Sequence, residues 1–474
     1  MKLTKLATVI ASSSLLMACL DSSSSSSQSA ESKLLETNAQ IAYAVYTDSV
    51  ITAKALQSAL ATFKDSSTEA NLIAAKKAWL TAREPYGQSE AFRFQDGPID
   101  FESGVSKDNT FITEDGPEGA LNAWPLGEGL IDYVKIDTSD FSGGQPAVPG
   151  NGAGINGGGE VNGADQSQNI IATTAITINS DLLDLGETTA GEGADVLSGY
   201  HAIEFLLWGQ DLNTAGNGTD GTNRGDADKV NDFSHGGQRP IEDFTTNANA
   251  DRRHQYLEVA VSKLITDLEK MQTAWAPNAS NYRSGFVDTS NSTATTSRIA
   301  KIVEAMGTMA YGELAGERMQ VAYSGNSQED EHSCFSDNTH RDVWLNAEGV
   351  ANLYYGDYAG YDSTQDGKDN ETGNSVKGYG FDDYLNDKGF TQLSTDISAA
   401  LTTTATEYTK IDTAARNDQP FDVLIMDANR NDTNPVNTTI NGLKAQSNGF
   451  IEMAEKLGLG DISDTVNGST EAFN

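Results

Sequence analysis

The chain has 474 residues, with 68 acidic against 31 basic side chains and a formal net charge of -37. That surface repels nucleic acid and anionic lipid headgroups and attracts cations, so a nucleic-acid partner is excluded. Two cysteines leave little scope for disulfide stapling, so stability has to come from a buried core, and the length suits two domains of ordinary size.

The first 18 residues read as a bacterial export signal, with Lys2 and Lys5 ahead of an apolar stretch from Leu6 to Met17 that is too short to span a bilayer. The stretch ends in Leu16-Met17-Ala18-Cys19, which resembles a lipoprotein box. Acylation at Cys19 would anchor the mature chain without a transmembrane helix, and Leu20 as its second residue favours the outer membrane. Residues 19–34, with the run Ser22 to Ser27, form a lipidated tether. With Cys19 assigned to lipid, Cys334 stands alone.

From residue 35 onward helical periodicity dominates. Trp79, Arg83, Tyr86, Glu90 and Arg93 recur four and three apart, placing aromatics, arginines and a carboxylate on one helix face. A solvated face would carry Lys and Glu rather than Trp and Tyr, so this stripe is expected to face inward. Pro85 is expected to kink the helix or to open a new one. Glu90 beside arginines would stay ionised when buried and could act as a metal ligand. After Trp124-Pro125, Glu128 and Asp132 lie four apart, and Asp132 is a further candidate ligand.

Gly199-Tyr200-His201-Ala202-Ile203-Glu204 leads into the apolar Phe205-Leu206-Leu207-Trp208. Three residues apart on a helix, His201 and Glu204 can converge on one metal ion, and their apolar neighbours place them in the interior. None of the five histidines is followed by Glu, so the zincin motif His-Glu-x-x-His is absent. A metallopeptidase also needs about three protein ligands, an open coordination position and a separate general base. The residues therefore favour metal binding over hydrolysis.

Gly-rich loops at about 140 to 168, 212 to 238 and 356 to 379 read as surface insertions. A boundary near 245 divides an N-terminal helical bundle, 35–245, from a C-terminal one, 246–474. Leu257, Val261, Leu264, Leu268, Met271 and Trp275 form an apolar helical stripe, followed by Ile299, Ile302, Val303, Met306 and Met309. Glu313 and Glu317 are four apart, with an ion pair to Arg318 or another basic group the expected role. Ser333, Asp337, His340 and Trp344 repeat the rhythm of the first polar stripe. The fold class is thus mostly α, two four-helix-bundle-like units with Gly-rich insertions.

These segments together resemble the imelysin-like lipoproteins, including the branch called iron-regulated protein A. The resemblance rests on the Gly-x-His-x-x-Glu motif at 199 to 204, the Arg83 to Arg93 segment, Asn122-Ala123-Trp124-Pro125-Leu126 and Ser333 to His340. It runs from about residue 35 to the end, where Phe421-Asp422 and Leu443-Lys444-Ala445-Gln446 also fit. Gly127 stands where Asp is expected before Glu128. The family fold implies duplicated helical bundles with the His-Glu motif near their junction. The family name comes from a reported insulin-cleaving metallopeptidase, and relatives accompany periplasmic iron-uptake systems.

The expectation is an outer-membrane lipoprotein, facing the periplasm or the cell surface, that binds a divalent metal through His201, Glu204, Glu90 and Asp132. Arg83, Tyr86, Arg93, Ser336, Asp337 and His340 would surround, complete or gate the site. Imidazole and carboxylate suit zinc, copper, manganese or iron, and iron is favoured by the resemblance alone. The partners expected are the metal ion or a metal complex, the membrane through the lipid, and envelope iron-uptake components. Alternatives are a metallopeptidase, or a module holding haem, a siderophore or a polysaccharide between the bundles, where Trp79, Tyr86, Trp124, Trp208 and Trp344 could stack.

Overall fold

A computed structural model describes residues 28–101, 116–122, 124, 126, 128–133, 169–188, 196–211, 236–365, 367 and 372–473. The signal, Cys19, most of the tether and the first two Gly-rich loops, apart from 236–238 of the second, lie outside these residues. The fold is mostly helical, as expected. Its one sheet among the described residues pairs Asp357–Tyr358 with Val376–Lys377. No described helix is long and apolar enough to cross a membrane.

Eight helices carry the architecture: α1 (Ala30–Asp65), α2 (Glu69–Ser89), α3 (Gly199–Trp208), α4 (Ala250–Trp275), α5 (Ser292–Thr308), α6 (Thr339–Tyr355), α7 (Thr391–Ala415) and α8 (Pro435–Leu457). Local chemistry sets their ends. Ser29, Thr68, Asn291 and Asn434 each accept a backbone N–H of the first turn, and Pro435 occupies the position where its missing N–H costs nothing. Gly356 and Gly458 close α6 and α8 in the left-handed conformation. Between α5 and α6 the chain runs as a π-helix, Met309–Gln320, a wider coil that often marks functional segments.

α1, α2, α3 and α4 pack into one bundle, and α5, the π-helix, α6, α7 and α8 into the other. The apolar stripe from Leu257 to Trp275 is buried along α4, each large side chain contributing roughly 1.5–3 kcal/mol. It packs on α1, so α4 belongs to the first bundle and the boundary expected near 245 falls too early. The stripe is amphipathic in either bundle, so periodicity alone could not choose the partner.

The bundles meet where α2 crosses α6. Glycine makes this crossing close: a Cβ on Gly349 would lie 2.3 Å from the Gln88 carbonyl oxygen, and one on Gly87 would lie 2.7 Å from Leu345 Cβ. Pro85 lies within α2, which continues through it to Ser89. The helical rhythm expected from Ser333 to Trp344 is correct only from Thr339, because residues 331 to 338 fold as turns.

Candidate metal centre at the bundle junction

α3 brings His201 and Glu204 to the junction, both fully buried. Their facing atoms engage each other: His201 Nδ1 lies 2.8 Å from Glu204 Oε2. The other oxygen of Glu204 accepts the Ser336 N–H at 2.9 Å and the Ser336 Oγ–H at 2.6 Å. His201 Nε2 is buried with no hydrogen-bond partner. Trp124 packs edge-on to the imidazole at 5.0 Å, and the His332 ring meets it perpendicularly at 4.8 Å between centroids.

His332 comes from the second half and has the same design. Its Nδ1 lies 2.8 Å from Asp342 Oδ2, which also accepts the Ser333 hydroxyl. Asp342 Oδ1 accepts Arg83 Nε at 3.2 Å and Nη2 at 2.9 Å. Arg83 Nη1 donates to Asn122 Oδ1, which directs the Asn122 amide nitrogen towards His332 Nε2 at 3.4 Å. His332 Nε2 is therefore the acceptor and its proton sits on Nδ1.

A second network adjoins the first. Glu90 accepts Arg318 at 2.7 Å and Arg93 at 3.1 Å, and Asn122 Nδ2 reaches its other oxygen at 3.4 Å. Glu313 accepts Arg318 at 2.9 Å and Arg93 at 3.0 Å, the expected ion pair on the π-helix. Arg318 also donates to Asn346, whose amide donates to the Gly87 carbonyl at 2.8 Å. Glu90 is thus held by guanidinium groups. Tyr86 packs on Tyr200 at 4.7 Å, and its buried hydroxyl has no hydrogen-bond partner.

Burial holds the imidazole of His201 well below its ordinary pKa, helped by His332 and Arg83. Burial likewise lifts Glu204 well above the usual carboxylate range, only partly offset by Ser336 and Arg83. His332 is brought down to about 4 by burial and then by Arg318. Burial opposes ionisation of Asp342 and Glu90 too. Arg83 and His332 nevertheless keep Asp342 well below its usual value, and Arg318 and Arg93 keep Glu90 low. Two neutral imidazoles, the form that binds a metal, result.

The remaining expected residues divide. Asp132 is not part of this arrangement: its oxygens accept Arg239 Nη1 at 2.7 Å and Arg253 Nε and Nη2 at 2.7 and 3.0 Å. As a metal ligand it is corrected to an ion-pair partner of two arginines. Glu128, its neighbour on the short helix Glu128–Ile131, is pushed up to about 8 by burial. His340 Nδ1 donates to the Asp337 carbonyl at 3.0 Å, and its Nε2 faces Asp412 at 3.8 Å. Asp337 has a left-handed backbone, φ 58°, and its carboxylate lies with those of Asp211 and Asp422, with oxygens within 4.8 Å of one another.

His332, Asp342 and Asn122 were missed as site residues. His332 had no periodic signal because it sits in a turn. Asp342, Asn346 and Gly349 do share an α6 face at offsets of four and three, a signal that was readable.

A family model described as Imelysin matches residues 42–449. Iron-regulated protein A of Synechococcus elongatus is 34% identical over 87 residues, which span 18% of this chain and only 20% of that protein. A crystal structure of a candidate iron-regulated protein A precursor from Parabacteroides distasonis superposes with a TM-score of 0.54 at 16% identity, covering 92% of this chain and 97% of the other. That likeness shows a shared fold. With the family model spanning most of its length, this chain belongs to the imelysin family.

Proposed function

We propose that this chain binds a divalent metal ion, iron favoured, at His201 in the junction between its bundles, and serves iron uptake or its regulation in the bacterial envelope. One observation carries the reading: His201 Nε2 is buried and has no hydrogen-bond partner, while Glu204 engages Nδ1 at 2.8 Å. An unsatisfied buried nitrogen costs about 1–3 kcal/mol, and coordination to a metal removes that cost. The names of the two relatives support iron as the cargo, and acylation at Cys19 would place the protein on the outer membrane. The full burial of His201 and Glu204 counts against an extended peptide substrate.

The test is metal content by mass spectrometry on mature protein purified without a metal-binding tag. Stoichiometric iron in the wild type, lost in His201→Ala, is the expected result. A His201→Ala protein that is folded and retains the metal would sink the assignment.

A further inference from the structure

Two buried histidines from different bundles meet at the junction, each with its Nδ1 facing a carboxylate 2.8 Å away: Glu204 behind His201 and Asp342 behind His332. The rings are perpendicular, with centroids 4.8 Å apart. A histidine that only fills a core satisfies both nitrogens. Here His201 Nε2 has no hydrogen-bond partner, and the contact of His332 Nε2 is Asn122 Nδ2 at 3.4 Å, a long bond. An ionised carboxylate that takes Nδ1–H leaves the lone pair on Nε2 and raises its basicity, the arrangement by which proteins prepare a histidine for a metal, and the charge of a bound cation favours that ionised form of Glu204 and Asp342.

Resting on the metal-binding reading above, we propose that the ion is held by Nε2 of His201 and Nε2 of His332, one from each bundle. Glu204 and Asp342 then lie outside the coordination sphere and orient the rings. Glu204 is poorly placed to be a ligand itself, since one oxygen faces His201 and the other accepts two bonds from Ser336. The ligand set selects ions that favour imidazole, such as Fe²⁺, Zn²⁺, Cu²⁺ and Ni²⁺, over Ca²⁺ and Mg²⁺, which require oxygen. No third His, Cys, Asp or Glu among the described residues forms a cluster with this pair. The remaining coordination positions are left to water or a small anion, so the ion is exchangeable and ties the two bundles together while bound.

The experiment loads the metal-free mature protein with one equivalent of Cu²⁺ and counts nitrogen couplings by electron paramagnetic resonance, with affinity measured by chelator competition. Two equivalent imidazole nitrogens are expected in the wild type and one in His332→Ala, with affinity at least 100-fold lower. Glu204→Gln should keep both couplings and lose about 10- to 100-fold in affinity. A single coupling in the wild type overturns the proposal even if the variants fail to fold. So does His332→Ala binding as the wild type does, or Glu204→Gln abolishing binding as His201→Ala does; metal binding at His201 would then stand. A wild type that binds no Cu²⁺, Zn²⁺ or Fe²⁺ removes the underlying reading and this one with it.

Discussion

Arg83 and Asp342, 259 residues apart in sequence, form a fully buried ion pair of 2.9 Å that joins α2 to α6. Asp342 also fixes His332, so this pair couples the packing of the two bundles to the orientation of the candidate site. Three aromatic rings, Trp79, Tyr86 and Tyr200, surround the guanidinium.

Arg83→Met is expected to destabilise the protein by about 3–5 kcal/mol, because it leaves the Asp342 carboxylate buried beside fewer donors. The double variant with Asp342→Asn should recover part of that loss. Urea unfolding of both singles and the double measures the coupling; simple additivity would show that the pair does not act as a unit.

Gly349→Ala should cost about 1–3 kcal/mol, since the new methyl group would meet the Gln88 carbonyl oxygen at 2.3 Å and push the crossing helices apart. The same change at Gly285, where nothing lies within 4 Å, is the control and should be neutral or stabilising. Thermal unfolding compares the two.

Burial, with Arg416 and Arg341 adding to it, lowers His340 to about 4 against an ordinary 6.5, although Asp412 opposes them. Between those values the unfolded chain binds a proton that the native chain does not, so stability rises with pH. The contribution is complete above pH 6.5 and is lost as pH falls towards 4. The side chain keeps 17% exposure, so solvent screening limits its share to roughly 1–2 kcal/mol. Denaturant midpoints between pH 7 and 4.5 should fall less in His340→Gln than in the wild type.

Cys334 is a buried thiol, not in a disulfide, and it follows Ser333, whose hydroxyl donates to Asp342. Alkylation of the native protein should be slow and should accelerate with denaturant in step with global unfolding. Rapid labelling in buffer would show that the 331 to 338 turn opens independently of the bundles.

Much of the fold was legible in the chain. The stripe from Leu257 to Trp275 announces a helix because an apolar face repeating every 3.6 residues has one way to be buried. The caps Ser29, Thr68, Asn291 and Asn434 act through equally local contacts, but it is the structure that identifies them. The pairing of His201 with Glu204 was also readable, since residues three apart on a helix are neighbours. Their roles were not: spacing brings two side chains together without saying whether they share an ion or bond each other.

By itself, then, the sequence determined what is local: helical class, an inward polar stripe and the proximity of His201 to Glu204. The tertiary structure alone decided which charges meet. Asp132 had the type and spacing of a ligand, yet Arg239 and Arg253, 107 and 121 residues away, surround its carboxylate. His332 had no distinguishing neighbours, yet the turn carrying it brings its ring to His201. A buried carboxylate or imidazole takes its properties from the groups within a few ångströms, and here many of those groups lie a hundred or more residues away along the chain.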